Sequence, residues 1–178
     1  MSRLLSHALV LALGVALGAG GAWLMKLEAL EASSALRDGT VVSAAGGLAT
    51  YRNARLGFSI TYPETFAAQE FDEGNGATTV LFQKPGAREG FQLFIVPYAE
   101  DSISPERIKK DIPTGVVEEP TEVVIGDGIR ATVFWSESPG VGRTREAWFI
   151  HEGYLYEATA YAAGDEVLGT ALSTLDFK

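Results

Sequence analysis

The chain has 178 residues, a formal net charge of −9 and no cysteine. Its length predicts a single domain, since domains typically contain about 100–150 residues. The lack of cysteine excludes disulfides, thiolate metal sites and a cysteine nucleophile, and the acidic balance argues against nucleic acid as a partner, because duplex binding needs Lys and Arg to neutralise phosphates.

The first predicted element is an apolar helix at the N-terminus. Twenty-two residues without Asp, Glu, Lys or Arg lie between Arg3 and Lys26. As a helix they span about 33 Å, enough for a hydrocarbon core of about 30 Å. We predict that residues 1–26 form a membrane anchor or signal segment. Its characteristic positions are Leu9, Leu13, Leu17, Trp23 and Lys26, the last two at the interface.

The same segment is also compatible with a cleaved signal peptide. Residues 20–22 are Gly-Gly-Ala, which could serve as a cleavage site. The uncleaved anchor is favoured, because the 18 apolar residues 8–25 exceed the roughly 7–15 of a signal-peptide core. Arg3 predicts a cytoplasmic N-terminus. The body is therefore expected outside the cytoplasm, either on a single-pass anchor in the cytoplasmic (inner) membrane, or periplasmic or secreted after cleavage.

Residues 27–50 are predicted to be a juxtamembrane helix and linker. Residues 27–36 continue the helix, and Asp38-Gly39 ends it. Residues 40–50 indicate a flexible spacer, or one weak strand at 40–44. The exported domain is predicted to occupy 51–178.

Strand patterns dominate the first part of this domain. Residues 57–62, 78–83 and 90–98 are predicted strands, separated by turns at 71–76 and 84–89. Their short connections predict an antiparallel hairpin ladder.

A helix is predicted next, with Ser104 as N-cap and Pro105 at its first position, ending before Pro113. Two hairpins follow, pairing 118–125 with 129–136 and 143–151 with 154–161, and a last helix begins near Asp165. The order of elements predicts an α+β fold, in which helices flank a central antiparallel sheet of about six or seven strands.

The predicted domain lacks a recognisable catalytic or metal-binding motif. His151 is its only histidine, and neither a GxSxG nor an HExxH motif occurs. Residues 72–76 offer several oxygens to a calcium ion, but the EF-hand spacing is absent, and their Asp, Asn and Gly are residues that any turn requires. The Gly and Arg residues at 140–145 precede a strand rather than a phosphate-binding helix. We therefore expect no cofactor and no metal ion.

Carboxylates on the last four strands leave an enzymatic alternative open. Glu137, Glu146, Glu152 and Glu157 lie there, and two of them could approach closely enough for acid–base chemistry. A secreted, hydrolase-like enzyme using such a pair, or His151, is the alternative function.

Aromatic residues give the strongest indication of a binding surface. Trp and Tyr are favoured in ligand grooves and protein interfaces, although they also form cores, which is the favoured interpretation for Trp135 and Trp148. The candidate ligand or partner surface consists of Trp148, His151, Tyr154, Tyr156, Arg143 and Arg145.

Two segments resemble those of a known family. Leu56-Gly-Phe-Ser-Ile-Thr-Tyr-Pro63 opens the domain, and residues 145–160 contain Gly153-Tyr-Leu-Tyr156 before a helix and a terminal Phe177. Both are similar to motifs of the PsbP-like family, which includes the extrinsic photosystem II protein and small exported bacterial proteins. The resemblance implies an α/β/α sandwich on an antiparallel sheet. It also implies an accessory or binding module rather than an enzyme, and it assigns no functional residue.

The sequence therefore predicts an acidic, non-enzymatic accessory or binding domain outside the cytoplasm. Its predicted partners are the membrane, through the N-terminal helix, and a protein or small ligand.

Overall fold

The computed structural model describes residues 36–112 and 115–178. The predicted anchor over 1–26 and most of the predicted juxtamembrane helix lie outside these residues. Within the described ranges, no helix is long and apolar enough to cross a membrane.

A four-stranded antiparallel sheet contains both ends of the described chain. Its strands lie in the order β1-β2-β3-β11. They are β1 (Gly39–Ala44), β2 (Leu48–Asn53), β3 (Phe58–Pro63) and β11 (Asp176–Phe177).

A larger antiparallel sheet has seven strands in the order β4-β5-β6-β10-β9-β8-β7. They are β4 (Ala67–Gly74), β5 (Ala77–Gln83), β6 (Gly90–Pro97), β7 (Val116–Ile125), β8 (Ile129–Ser138), β9 (Gly142–His151) and β10 (Tyr154–Tyr161). The two hairpins predicted in the second half of the domain are β7–β8 and β9–β10.

Among the described residues, two short α-helices accompany the sheets, α1 (Pro105–Asp111) and α2 (Asp165–Ser173). Helix α1 begins as its sequence predicts: the Ser104 hydroxyl accepts a hydrogen bond from the Arg107 N–H at 3.1 Å, and Pro105 follows the cap. A 3₁₀ turn, Ala162–Gly164, leads into α2.

Two hydrophobic cores cover the two faces of the large sheet. The main core lies between the large sheet and a layer made of the small sheet and α2, and it includes Tyr51, Ile60, Phe82 and Leu168. The second core lies beneath α1. It contains Ile108, Ile112, Phe134, Trp148 and Leu155 together with Tyr98. Coverage on both faces explains why β5, β6 and β10 are almost entirely buried.

The structure corrects the predicted strand count and ladder. The described residues form eleven strands in two sheets, and only the large sheet matches the prediction of six or seven. Strand β3 pairs with β2 and β11 instead of joining the strand at 78–83. The strand that pairs with β5 at this position is β4. Strand β4 extends to Gly74 and so includes residues 71–74, which were predicted to be part of a turn. Charged residues on β4 concealed its strand pattern.

Residues predicted to be a spacer also form a strand. The structure has β1 over Gly39–Ala44, as the weaker alternative allowed, paired along its length with β2. This hairpin is hard to recognise in the sequence, because most β1 side chains are small. Five of the six β1 residues are also exposed, so the strand does not show the apolar pattern of a buried one.

Candidate functional site

An apolar groove lies between α2 and the outer strands of the large sheet. It encloses about 190 Å³, which is less than the roughly 300–1,000 Å³ of typical small-molecule pockets. Its apolar walls are formed by Val123, Ile125, Val133, Ala147, Leu168 and Leu172. These dimensions suit a single side chain of a partner better than a drug-sized ligand.

Charged residues form the rim of this groove. Arg145 and Asp165 line it, with Arg145 Nε 3.2 Å from Asp165 Oδ1. The strand pattern brings Arg145 there, because alternate β9 residues share a face and Ala147 forms part of the groove wall. Because the pair is partly exposed, water or a polar group of a partner can replace either member in its contact with the other.

Trp135 adjoins the groove and packs beneath two guanidinium groups. It is directly opposite Arg145 in the β8–β9 register. The Arg143 and Arg145 guanidinium carbons lie 4.7 and 4.9 Å from the centre of its ring. Both contacts are within the range of a cation–π interaction. Arg143 also donates a hydrogen bond to Glu118 at 3.1 Å.

We call Trp135, Arg143, Arg145 and the groove the Trp135 surface. It combines an apolar centre, a half-buried Trp and a rim of charged pairs, which is the composition of many protein interfaces. Trp and Arg are also the residues most often found to dominate binding energy. Trp135 belonged to the aromatic set noted in the sequence, but its apolar neighbours had favoured a place in the core.

The other predicted site residues are distributed over both faces of the large sheet. Trp148 is fully buried beneath α1, whereas Tyr156 is buried in the main core on the opposite face. The structure therefore does not bring these two side chains into one pocket. Burial also raises the pKa of the Tyr156 hydroxyl, which keeps it protonated.

His151 lies on the same face as Tyr156, at the end of β9. Its ring stacks on Phe177, with centroids 3.7 Å apart and planes at 29°. Tyr154 is half-buried beside the main core. The arrangement gives His151 a packing role against the C-terminal strand; a role of His151 or Tyr154 in binding remains a prediction.

Glu146 occupies a buried polar site on the α1 face of the large sheet. One carboxylate oxygen accepts hydrogen bonds from Thr144 at 2.7 Å and Ser136 at 3.2 Å. The other accepts from Thr159 at 2.7 Å and from the Trp148 indole N–H at 3.3 Å. Burial raises the pKa of Glu146, and these four donors oppose the rise.

Glu157 lies next to this network and joins the sheet to α1. Arg107 from α1 donates to Glu157 Oε1 at 3.4 Å and pairs through its Nε with Asp111. Burial, followed by the nearby Asp111, raises the pKa of Glu157 well above its usual range, and the Arg107 charge opposes the rise. One cation thus serves two buried carboxyl groups, which favours a protonated Glu157.

These contacts bear on the enzymatic alternative. Glu146 and Glu157 do lie on adjacent strands, but their exposed fractions are only 3% and 1%. A substrate cannot reach carboxylates buried to this degree without movement of the covering elements. Glu137, the exposed third candidate, lies on β8 between Val116 of β7 and Arg143 of β9. The geometry therefore gives Glu146 and Glu157 structural partners rather than an open cleft.

A larger cleft, of about 410 Å³, lies where the small sheet meets β4. Its charges are paired: Arg37 with Asp72 at 2.7 Å and Arg55 with Asp38 at 2.6 Å. Buried Glu70 accepts hydrogen bonds from the Tyr51 hydroxyl and two backbone N–H groups. These contacts join the two sheets, and sequence reasoning missed Glu70 because its partners are distant in the chain.

At residues 72–76 the sequence favours a turn over a calcium-binding loop. There Asp72 Oδ1 accepts a hydrogen bond from the Gly74 N–H at 2.9 Å, which is a common turn contact. Across residues 36–112 and 115–178, no group of three His, Asp or Glu side chains is placed to hold a metal ion.

Comparison with known proteins identifies the fold. No protein-family model and no curated protein matches this chain in sequence. Among solved structures, it is similar to the solution structure of the cyanobacterial PsbP protein CyanoP from Synechocystis sp. PCC 6803. The TM-score is 0.55 at 12% identity, over 77% of this chain and 97% of CyanoP. The chain therefore has a PsbP-like fold, as its two sequence motifs had indicated.

Proposed function

We propose that this protein is a non-enzymatic accessory domain outside the cytoplasm that binds a partner protein through the Trp135 surface. The observation that carries the proposal is the small apolar groove beside Trp135 and its two stacked arginines. The partner would insert one apolar side chain into the groove and exchange polar contacts with the Arg145–Asp165 rim. The PsbP-like fold supports the proposal only as a scaffold, because fold alone does not assign function.

Gly169 offers a position from which to test partner binding. It lines the groove, and a Cβ built on it has no other atom within 4 Å. A photo-crosslinking amino acid at position 169 is therefore expected to trap the partner in intact cells without disturbing α2. The same amino acid at exposed Lys84, in the turn between β5 and β6, is the control.

The expected result is a discrete crosslinked protein from position 169 that is absent from position 84. Trp135→Ala should reduce its yield strongly, because the partner loses the aromatic centre of the interface. Identical products from both positions, or a yield unaffected by Trp135→Ala, would overturn the proposed surface.

The membrane anchor is the second part of the proposal. It is supported by the 22 uncharged residues between Arg3 and Lys26. The intact mass of the protein from membrane and soluble fractions tests it. Retention of residues 1–26 in the membrane fraction is expected, whereas a mature chain beginning near Trp23 would show that the segment is a cleaved signal.

A further inference from the structure

A separate cleft lies on the outer face of the small sheet. It encloses about 350 Å³, a volume within the range of small-molecule sites. Arg52, Ser59, Thr40 and Lys178 contribute its polar side chains at the surface, with Gly57 and Phe58 among the other lining residues. This cleft shares no lining residue with the groove of the Trp135 surface.

Three of these residues form a row across adjacent strands. Thr40 on β1 is the register partner of Arg52 on β2, and Arg52 is the partner of Ser59 on β3. Strands are about 4.8 Å apart, so these side chains stand next to one another on one face. Their neighbours Tyr51 and Ile60 point the other way and are completely buried in the main core. The sheet thus presents a guanidinium group flanked by two hydroxyl groups.

On the other side of Ser59 the row ends at its register partner, Asp176 on β11. Lys178 lies two residues beyond Asp176. Its backbone N–H donates to the Gly57 carbonyl at 2.8 Å, which holds the residue beside the start of β3. Its ammonium lies 3.7 Å from Asp176, so part of its charge is neutralised and Arg52 is the main cation of the cleft.

The charge of this cleft contrasts with that of the domain. The whole net charge of −9 lies on residues 36–178, where 12 basic residues face 21 acidic ones. Yet none of the described residues lining this cleft is Asp or Glu. The nearest carboxylate in the row is that of Asp176, which is paired with the Lys178 ammonium. Five N–H donors on Arg and adjacent hydroxyls match the oxygens of phosphate, which Arg binds in a bidentate manner.

We propose that this cleft binds a phosphate-class oxyanion, with Arg52 as the main cation and the Thr40 and Ser59 hydroxyls as flanking donors. The anion is either free phosphate or the headgroup of a phospholipid. The second source is compatible with the proposed anchor, because Thr40 follows Lys26 by only 14 positions.

NMR titration of the full chain in an uncharged, phosphate-free detergent tests the site. We expect inorganic phosphate to shift the Thr40, Arg52 and Ser59 signals saturably. Arg52→Gln should weaken the affinity at least about tenfold, because a charge-assisted hydrogen-bonding group is lost. Arg130→Gln, which removes an exposed arginine from the large sheet, should leave the affinity unchanged.

A second titration distinguishes the two sources. It uses dihexanoyl phosphatidylglycerol below its micelle concentration, with dihexanoylglycerol as the phosphate-free control. Tighter binding of the lipid identifies a headgroup site, and tighter binding of inorganic phosphate identifies a site for the free anion. Absence of saturable shifts with both, or an affinity that Arg52→Gln leaves unchanged, would overturn the proposal.

A milder double variant provides a second test if Arg52→Gln disturbs the fold. Thr40→Val with Ser59→Ala keeps every charge and removes both flanking hydroxyls, and we expect affinity to fall several-fold. Unchanged affinity in this variant, with native-like amide signals, contradicts the assignment of the row as the binding site.

Discussion

The carboxylate of Glu157 lies 3.4 Å from the guanidinium of Arg107, and this contact connects the middle of β10 to α1. Arg107 also pairs with Asp111, so one cation is shared by two buried carboxyl groups. One cation compensates the charge of one carboxylate, and an uncompensated buried charge is strongly unfavourable. This arrangement therefore favours retention of a proton on one of the two carboxyl groups.

The first prediction is that Glu157→Gln stabilises the domain at neutral pH. The folded-state pKa of Glu157 is raised, so its contribution to stability is full below the ordinary carboxyl pKa of about 4.3 and is lost as pH rises toward the folded-state value. Gln has no proton to lose. We expect a gain on the order of 1 kcal/mol in the free energy of unfolding at pH 7.5, vanishing near pH 4.

Urea unfolding at several pH values measures this effect. Part of the pH dependence should persist in the variant, because burial raises the pKa of Glu146 as well. A Glu157→Gln protein that is less stable than the parent at pH 7.5 would show that Glu157 is held as a charged partner of Arg107.

The second prediction concerns Glu146, whose two oxygens accept from four donors. Glu146→Met preserves the shape but leaves buried donors unpaired, at roughly 1–3 kcal/mol for each group that finds no substitute. Glu146→Gln should cost less, because its oxygen can still accept from Trp148 and Thr159 while its amide donates to the Ser136 and Thr144 hydroxyls. Equal stability of the two variants in urea would show that the network contributes little.

The third prediction uses two glycines of the β7–β8 turn as a matched pair. Both have positive φ, +46° at Gly126 and +88° at Gly128. A Cβ on Gly126 would overlap the Leu175 carbonyl oxygen, whereas a Cβ on Gly128 meets nothing within 4 Å. We expect Gly128→Ala to cost about 1–2 kcal/mol for backbone strain alone, and Gly126→Ala considerably more. Thermal unfolding compares them, and equal losses would mean that the turn does not contact Leu175 closely.

The fourth prediction addresses the Trp135 surface. Arg145→Gln removes a partly exposed ion pair with Asp165, so the free energy of unfolding should change by less than about 1 kcal/mol. The crosslinking yield from position 169 should nevertheless fall several-fold, since the rim of the groove loses its cation. Arg130→Gln is the control, and equal yields in both variants would remove Arg145 from the interface.

Local patterns in the sequence were sufficient for the second half of the fold. Tight turns at Gly126 and Gly153 and alternating apolar residues identified the β7–β8 and β9–β10 hairpins, and Ser104-Pro105 identified the start of α1. These features are encoded by residues close together in the chain. The strand β4 escaped detection because residues 71–74 were assigned to a turn, and because Glu70 and Asp72 have partners more than 30 positions away.

The candidate site was predictable only in part. Alternation along β9 places Arg143 and Arg145 on one face, as the sequence indicates. Which strand lies beside them, and therefore that Trp135 receives both guanidinium groups, depends on the β8–β9 register. Trp148 and Tyr156 were grouped because both are aromatic and lie on neighbouring predicted strands. Their opposite orientations follow from their positions in the paired strands.

The sequence by itself determined the absence of thiol chemistry, the acidic charge of the domain and the PsbP-like motifs, because composition and local spacing are properties of the chain alone. It also predicts the membrane anchor. Only the tertiary structure decided that residues 36–112 and 115–178 build two sheets instead of one. It also decided that Glu146 and Glu157 are buried, and that Thr40, Arg52 and Ser59 form a row. The reason is physical: burial, charge pairing and cross-strand neighbours are set by which distant segments pack together, and short-range periodicity does not specify that choice.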